Sequence, residues 1–382
     1  MKVKYLFLAL CLCGFVRGFG VSAQAAQPWW YTLEQGKLLF RKGAYGDALL
    51  TFEDARRQRA AQYTRMEEDF IFLLSIPEVR RLGDSLEFVE RFINERLYTA
   101  AAAALNELYY RFSKDSLKGS VSLALEKFDL LKGYPEAEYW LGETYRAEGE
   151  LGLALRQYEK AWDERDLLET PGFEMEILYK ITELHRIRGN YQEMERRANE
   201  IIEGVGANGL PRDRLWAGSP QGSSNQIRAA MVRILENEGV SRFLTLYRYN
   251  NTDTERAHRL LGFFYSSSSR YTQAMDHLMF AFLIQSSVLI EEVIRRDYDF
   301  TFSTLEDLMT RMQRRPELTA FIDETEYYRT IYYLATALYA SGKTIPAAQL
   351  WTFLAGSNNA GEWGNRARRN PTPYIERPLE RF

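Results

Sequence analysis

The chain of 382 residues holds only two cysteines and three histidines. So small an inventory leaves little material for a His/Cys metal site, and none for a disulfide framework. Both cysteines, Cys11 and Cys13, stand inside the N-terminal segment Met1–Ala25. An excess of one charge sign is missing too: 49 Lys and Arg face 52 Asp and Glu, a net charge of −3. A dedicated nucleic-acid binder needs a basic surface that releases phosphate counterions, so this balance counts against nucleic acid as a partner. There is no P-loop, no Gly-x-Ser-x-Gly elbow and no His-Glu-x-x-His. Past the N-terminus no uninterrupted apolar run approaches the length of a bilayer crossing, so no later membrane span is expected. What remains, 46% hydrophobic and 26% charged residues, is the composition of a globular chain.

Met1–Ala25 reads as a secretory signal peptide. Lys2 and Lys4 form a positive n-region, and Tyr5–Val16 is an apolar run too short to span a bilayer comfortably. Cleavage options of small residues follow at Val21-Ser22-Ala23 and Ala23-Gln24-Ala25. A retained anchor helix is opposed by Arg17 and by Gly14, Gly18 and Gly20, which interrupt the run. Lipidation would need a small residue before the cysteine, where Leu10 and Leu12 stand. Cleavage would leave no thiol and, with Lys2, Lys4 and Arg17 gone, a net charge of −6. The expected location is periplasmic or cell-envelope, with membrane association only through a partner or through an uncleaved or lipidated N-terminus.

The rest is helical by pattern. Leu, Ala, Glu, Arg, Tyr and Phe recur at spacings of three and four, with Gly and Pro as punctuation. The strand-like alternation at Tyr298–Phe302 lacks a pairing partner and reads as an extended connection.

Within Tyr139–Ala161, the positions Leu141, Gly142, Tyr145, Gly149, Ala154, Tyr158 and Ala161 resemble the tetratricopeptide repeat. Gly142 and Ala154 are small where two helices would cross closely, and Gly149 ends the first helix with a residue that tolerates positive φ. The same frame fits Gly36, Leu39, Gly43, Tyr45, Ala48, Phe52 and Ala55, and Leu261, Gly262, Tyr265, Tyr271, Ala274, Leu278 and Ala281. Weaker copies start at Phe88, Leu178 and Leu334. Their small-residue positions (Ala48, Ala101, Ala154, Met194, Ala274, Ala347) are unevenly spaced. Every interval is longer than the family's tandem period of about 34 residues. Extra helices such as Leu117–Lys132 and Leu283–Arg296 are therefore expected between units. The expected fold is all-α: an irregular solenoid of TPR-like helical hairpins in two helical blocks.

The blocks are set by punctuation. After the signal peptide (1–25) come an N-terminal helical block (26–203), a Gly/Ser/Pro-rich loop or linker (204–225) and a C-terminal block (226–355). An irregular basic tail (356–382) carries Arg366, Arg368, Arg369, Arg377 and Arg381. Gly204–Gly209 matches the dinucleotide fingerprint by letters only. A helix precedes it and Leu210-Pro211 follows, the reverse of what phosphate binding needs.

No catalytic constellation emerges. His185 falls on a repeat's buried stripe, and neither His258 nor His277 has neighbours that suggest ligation or a triad. The expectation is a protein without catalytic residues, cofactor or metal. The resemblance implies a concave face built from the first helix of each pair. Carried over, its ligand-facing positions are Glu136, Tyr139, Glu143 and Arg146, then Glu176, Tyr179, Glu183 and Arg186, the same four residue types in the same order. Pairing of Glu and Arg on solvated helix faces gives the same pattern, so recognition and solvation both stay open. As a binding surface the set is Tyr139, Glu143, Arg146, Tyr179, Glu183 and Arg186, with both tyrosines facing solvent. The Lys and Asn that family members use to clamp a peptide carboxylate are missing there.

The function this implies is a non-catalytic exported scaffold that binds a protein or peptide partner in cell-envelope assembly. The alternative is a small-ligand or lipid-binding accessory protein of an envelope transporter, with an enclosed apolar cavity. Intact mass of the protein from its native host is expected to show a chain beginning at Gln24 or Ala26. Met1 retained on membrane-bound protein would overturn that expectation.

Overall fold

The computed structural model describes residues 28–75, 89, 91–92, 95, 97, 100–104, 132–203, 224–249, 251–312 and 315–369, without the side chains of 66–75 and 224–227. The segment read as a signal peptide, the proposed helix Leu117–Lys132 apart from its last residue, most of the repeat copy starting at Phe88, and 204–223 lie outside these residues. No strand occurs among the described residues, and the protein is all-α.

The chain divides into two compact units, one ending at Ile181 and the other beginning at Thr182. The division falls inside a helix rather than in the 204–225 stretch, whose last two residues already belong to a helix. The first unit holds α1 (Trp29–Arg41), α2 (Tyr45–Ser75), α3 (Pro135–Ala147), α4 (Leu151–Asp163) and the start of α5 (Phe173–Ile187). The second holds the end of α5, then α6 (Tyr191–Glu203), α7 (Ser224–Leu246), α8 (Thr252–Ser267) and α9 (Tyr271–Arg296). After them come α10 (Leu305–Met312), α11 (Pro316–Glu324), α12 (Tyr327–Ala340), α13 (Thr344–Gly356) and α14 (Gly361–Arg369).

Five turns close in the same way. Gly43, Gly149, Gly189, Ser269 and Gly342 all have positive φ between 60° and 85°. At each, the N–H of the turn residue bonds the carbonyl three back, and the next N–H bonds the carbonyl five back: Gly149 to Arg146 and Glu150 to Tyr145 at the second turn. That pairing satisfies carbonyls a helix end would leave orphaned. The residue that makes the second bond also accepts the first hydrogen bond of the next helix, as Glu150 does from Ala154. One helix therefore ends and the next begins within a single tight turn.

Behind each turn the two helices touch. Any Cβ on Gly142 would sit 2.7 Å from the ring of Tyr158, and one on Gly262 would sit 2.5 Å from Leu278. Gly36 meets Phe52 in the same way. In all three pairs the glycine precedes its partner by sixteen positions and the turn residue by seven. Ala48, Ala154, Met194, Ala274 and Ala347, the frame's small positions, are all fully buried. In the first unit α2 packs on α1 and α3, and α3 on α4. Leu33, Phe52, Ala55, Tyr134, Ala137 and Leu141 form a shared core there. In the second, α8 packs on α9, α9 on α12, and α12 on α13.

Two expectations need correction. The helix expected separately at Leu283–Arg296 is the continuation of α9, because nothing after Phe282 breaks its pattern. That helix also has the length and apolarity of a membrane span, at a mean hydropathy of 1.5, which an uninterrupted apolar run fails to detect. About 72% of that stretch is buried inside the protein. Finally, the start of the tail is ordered: α14 packs on α13, with Trp363 set against the rings of Tyr332 and Tyr333 at 5.5 and 5.7 Å. Gly364 allows that approach, since a Cβ there would sit 2.9 Å from the Leu354 carbonyl oxygen.

Gly142→Ala is expected to lower stability by about 1–3 kcal/mol, because the ring of Tyr158 has to move. Gly152→Ala, where an added methyl meets nothing, is the matched control and should be neutral or mildly stabilising. Urea midpoints of the two variants check the contrast.

Candidate functional site

Tyr139, Glu143 and Arg146 lie on α3, and Tyr179 on the part of α5 that belongs to the first unit. Glu183 and Arg186 lie on the part of α5 that belongs to the second. Tyr139 is 5% exposed and Tyr179 8%, so the expectation that both face solvent is corrected. For Tyr139 the cause is its aromatic and acidic neighbours. The ring of Phe173 meets it edge-on at 4.7 Å, Tyr158 lies 5.6 Å away, and its hydroxyl reaches Glu176 at 3.5 Å.

Glu143, itself buried, is the centre of what remains. It accepts the Tyr158 hydroxyl, and it pairs with Arg146 Nη2 and Lys180 Nζ at 3.0 Å each. Burial pushes its carboxyl up, but the bonds from Arg146 and Tyr158 and the Lys180 ammonium outweigh it and hold the carboxyl below its usual range. Lys180 also lies 3.5 Å from Glu176. The same burial drives the Tyr139 and Tyr158 hydroxyls far above the ordinary tyrosine range. A carboxylate saturated by two cations and a phenol, beside phenols that keep their protons, has no group free to act as base or nucleophile. Arg146, whose side chain is about a third exposed, forms the rim. In the second unit Glu183 pairs with Arg256 at 3.3 Å.

Sequence reasoning did not single out Lys180. Its signal was the four-residue spacing from Glu176, which places both on one helix face. It also passed over a pair in the second unit. His258 and His277 approach Nδ1 to Nδ1 at 3.1 Å, and His258 stacks on Phe280 at 5.1 Å. One ring donates and the other accepts, so the two cannot both be protonated. Burial drives His258 well below the usual range, with His277 and Arg228 adding to it. Burial and then Arg228 bring His277 down to about 4, so both rings are neutral near pH 7. His185 is buried, as its stripe position implies.

An open cavity of about 410 Å³ lies in the same unit, bordered by Arg228, Arg233 and Glu236 of α7, by Asp276 of α9, and by Lys343 just before α13. Among the described residues no group of three or more His, Cys, Asp or Glu is placed to hold a metal ion.

No family model matches the chain. It is similar to an uncharacterized protein of Treponema pallidum (strain Nichols), with 24% identity over 354 residues, 93% of this chain and 92% of that protein. It is also similar to an uncharacterized protein of Borreliella burgdorferi (strain ATCC 35210 / DSM 4680 / CIP 102532 / B31). There the identity is 23% over 244 residues, 60% of this chain and 73% of the relative.

The histidine pair gives a pH dependence with a definite sign. Unfolded histidine titrates near 6.5, whereas folded His277 does so near 4. Below about pH 6.5 the unfolded chain binds more protons, so stability is full above that pH and falls as pH drops towards 4. For His277 alone the loss amounts to roughly 3 kcal/mol. Urea midpoints between pH 7.5 and 4.5 should show it, and His277→Gln should flatten the slope. A pH-independent midpoint in the parent protein would exclude a neutral buried pair.

Proposed function

We propose that the protein is a non-catalytic scaffold built from tetratricopeptide-type helical hairpins, exported to the cell envelope, that binds a protein or peptide partner there. The observation that carries this reading is the five-fold recurrence of one hairpin closure, with the same positive-φ turn and the same pair of backbone bonds. Repeated hairpins of this kind bury a continuous core and leave an extended surface for recognition. The saturated Glu143 cluster and the absence of any sequence motif for covalent or phosphate chemistry support binding over catalysis. The lipid-carrier alternative calls for an enclosed apolar cavity, whereas the cavity beside α7 is open and bordered by charge.

Within this reading, the six positions carried over from the family divide by exposure. Tyr139, Tyr179 and Glu143 are buried, whereas Arg146 of the first unit and Glu183 and Arg186 of the second are partly exposed; through the arginines a partner's carboxylates or carbonyls would be met. Their separation is testable. Tyr139→Ala with Tyr179→Ala should destabilise the fold, by about 3–5 kcal/mol for each aromatic truncated in a packed core. Arg146→Ala with Arg186→Ala should keep the far-UV dichroism of the parent and lose capture of partners from cross-linked envelopes. Undiminished capture by the arginine variant would sink these two arginines as binding residues. The same profile of captured proteins from every variant and from an unrelated control would sink the scaffold reading itself.

A further inference from the structure

The cavity in the second unit is bordered by no residue of α3 or α5, and its chemistry points beyond the scaffold reading. Arg228, Val232, Arg233 and Glu236 recur at spacings of four, one and three along α7 and present one face to it. Asp276, in the second turn of α9, and Lys343 close it. At about 410 Å³ it falls in the range that accepts small organic molecules.

The charges at its border are not equivalent. Lys343 and Glu236 satisfy each other at 3.0 Å. Among the described residues Arg233 has no ion pair, and it is exposed. Arg228 forms no ion pair within 4 Å among them, Asp276 acting on it only through space; its guanidinium sits 5.6 Å from the Phe280 ring centre, and its Nε is buried with no hydrogen-bond acceptor. Asp276 accepts no hydrogen bond from the described residues, and burial pushes its carboxyl up despite Arg228, which weakens it as a counter-charge. Two guanidinium groups on one helix are thus left without an acceptor, beside the apolar Val232.

We propose that this cavity binds a small organic carboxylate with a short aliphatic body, its carboxylate held between Arg228 and Arg233 and its body against Val232. A planar carboxylate matches the fork of a guanidinium group. Three cations against two acids at the border suit a monoanion. A phosphate dianion would meet Glu236 and Asp276, and a cation would meet both arginines. The carboxylate could belong to a free acid or to the end of a peptide chain.

Titration calorimetry on the chain from Ala26 onward separates these cases. The probes are 4-methylpentanoate, its amide, inorganic phosphate, and a tetrapeptide ending in leucine as free acid and as amide. Saturable binding of a free-acid probe, with its amide and phosphate at least tenfold weaker, is the expected result. The tighter of the two acids identifies the source of the carboxylate. Arg228→Leu removes packing on Phe280 as well as charge, so Arg233→Glu, at an exposed position, is the deciding variant. It should weaken the acid at least tenfold while leaving far-UV dichroism unchanged. No saturable binding of either acid, equal binding of acid and amide, or an unaffected Arg233→Glu would each overturn the proposal. Unchanged capture of envelope partners by Arg233→Glu would leave the scaffold reading standing.

Discussion

The structure depends on how closely two helices can cross behind a short turn. In three hairpins a glycine lies directly beneath the side chain sixteen positions later, Phe52, Tyr158 or Leu278. The positive-φ residue seven positions on sets the direction in which the chain returns. Neither feature works alone: a turn of that geometry forces the approach, and only a small residue at the crossing tolerates it. The hairpin through Gly189 meets the demand differently. Thr182 occupies the glycine position and Ala198 the large one, both fully buried, so volume lost on one helix is restored on the other.

This crossing ties packing to polar chemistry. Tyr158 fills the space above Gly142, and its hydroxyl then ends on Glu143, the next residue along α3. Other buried charges in the first unit are answered in the same manner. Glu138, fully buried, pairs with Arg56 at 3.1 Å and with Lys160. Arg59, also buried, bonds Glu169 at 2.6 Å and lies 4.4 Å from the Tyr134 ring centre. Each pair joins residues far apart in sequence, so a hairpin docked one turn out of place would strand a charge away from water. That penalty, several kcal/mol for an unpartnered buried charge, opposes misplacement more than the pairs add to stability.

The hairpin frame was legible because each of its requirements is a local residue type: Gly142 for approach, Gly149 for the turn, Ala154 for the second helix. Periodicity identifies which positions share a helix face. It carries no information about what later covers that face. Tyr139 was therefore placed correctly on its helix and wrongly in solvent, since Phe173, two helices further along the chain, closes over it. The ordered α14 was hidden for a related reason. Its Gly and Asn content has the composition of a loose end, yet Gly364 serves contact with α13. The cavity was the least legible feature. Arg228, Asp276 and Lys343 come from three elements, and no spacing rule connects them.

Helix α9 shows how polar residues give an apolar helix its orientation. Its middle carries Gln285, Ser286 and Ser287 in succession, all fully buried, within a stretch whose apolar surface would pack in many rotations. Gln285 Nε2 donates to Glu255 of α8 at 2.6 Å and to the Thr325 carbonyl at 2.8 Å. Ser286 meets the Tyr327 hydroxyl at 3.0 Å, and Ser287 Oγ accepts the backbone N–H of Tyr249, also at 3.0 Å. Three successive residues point about 100° apart around a helix, so these bonds address three different neighbours. Rotating α9 by one residue would leave all of them unmatched in a dry core, at a cost of about 1–3 kcal/mol per group. Apolar burial makes this helix the centre of its unit, and the polar triplet decides which side of it each neighbour occupies.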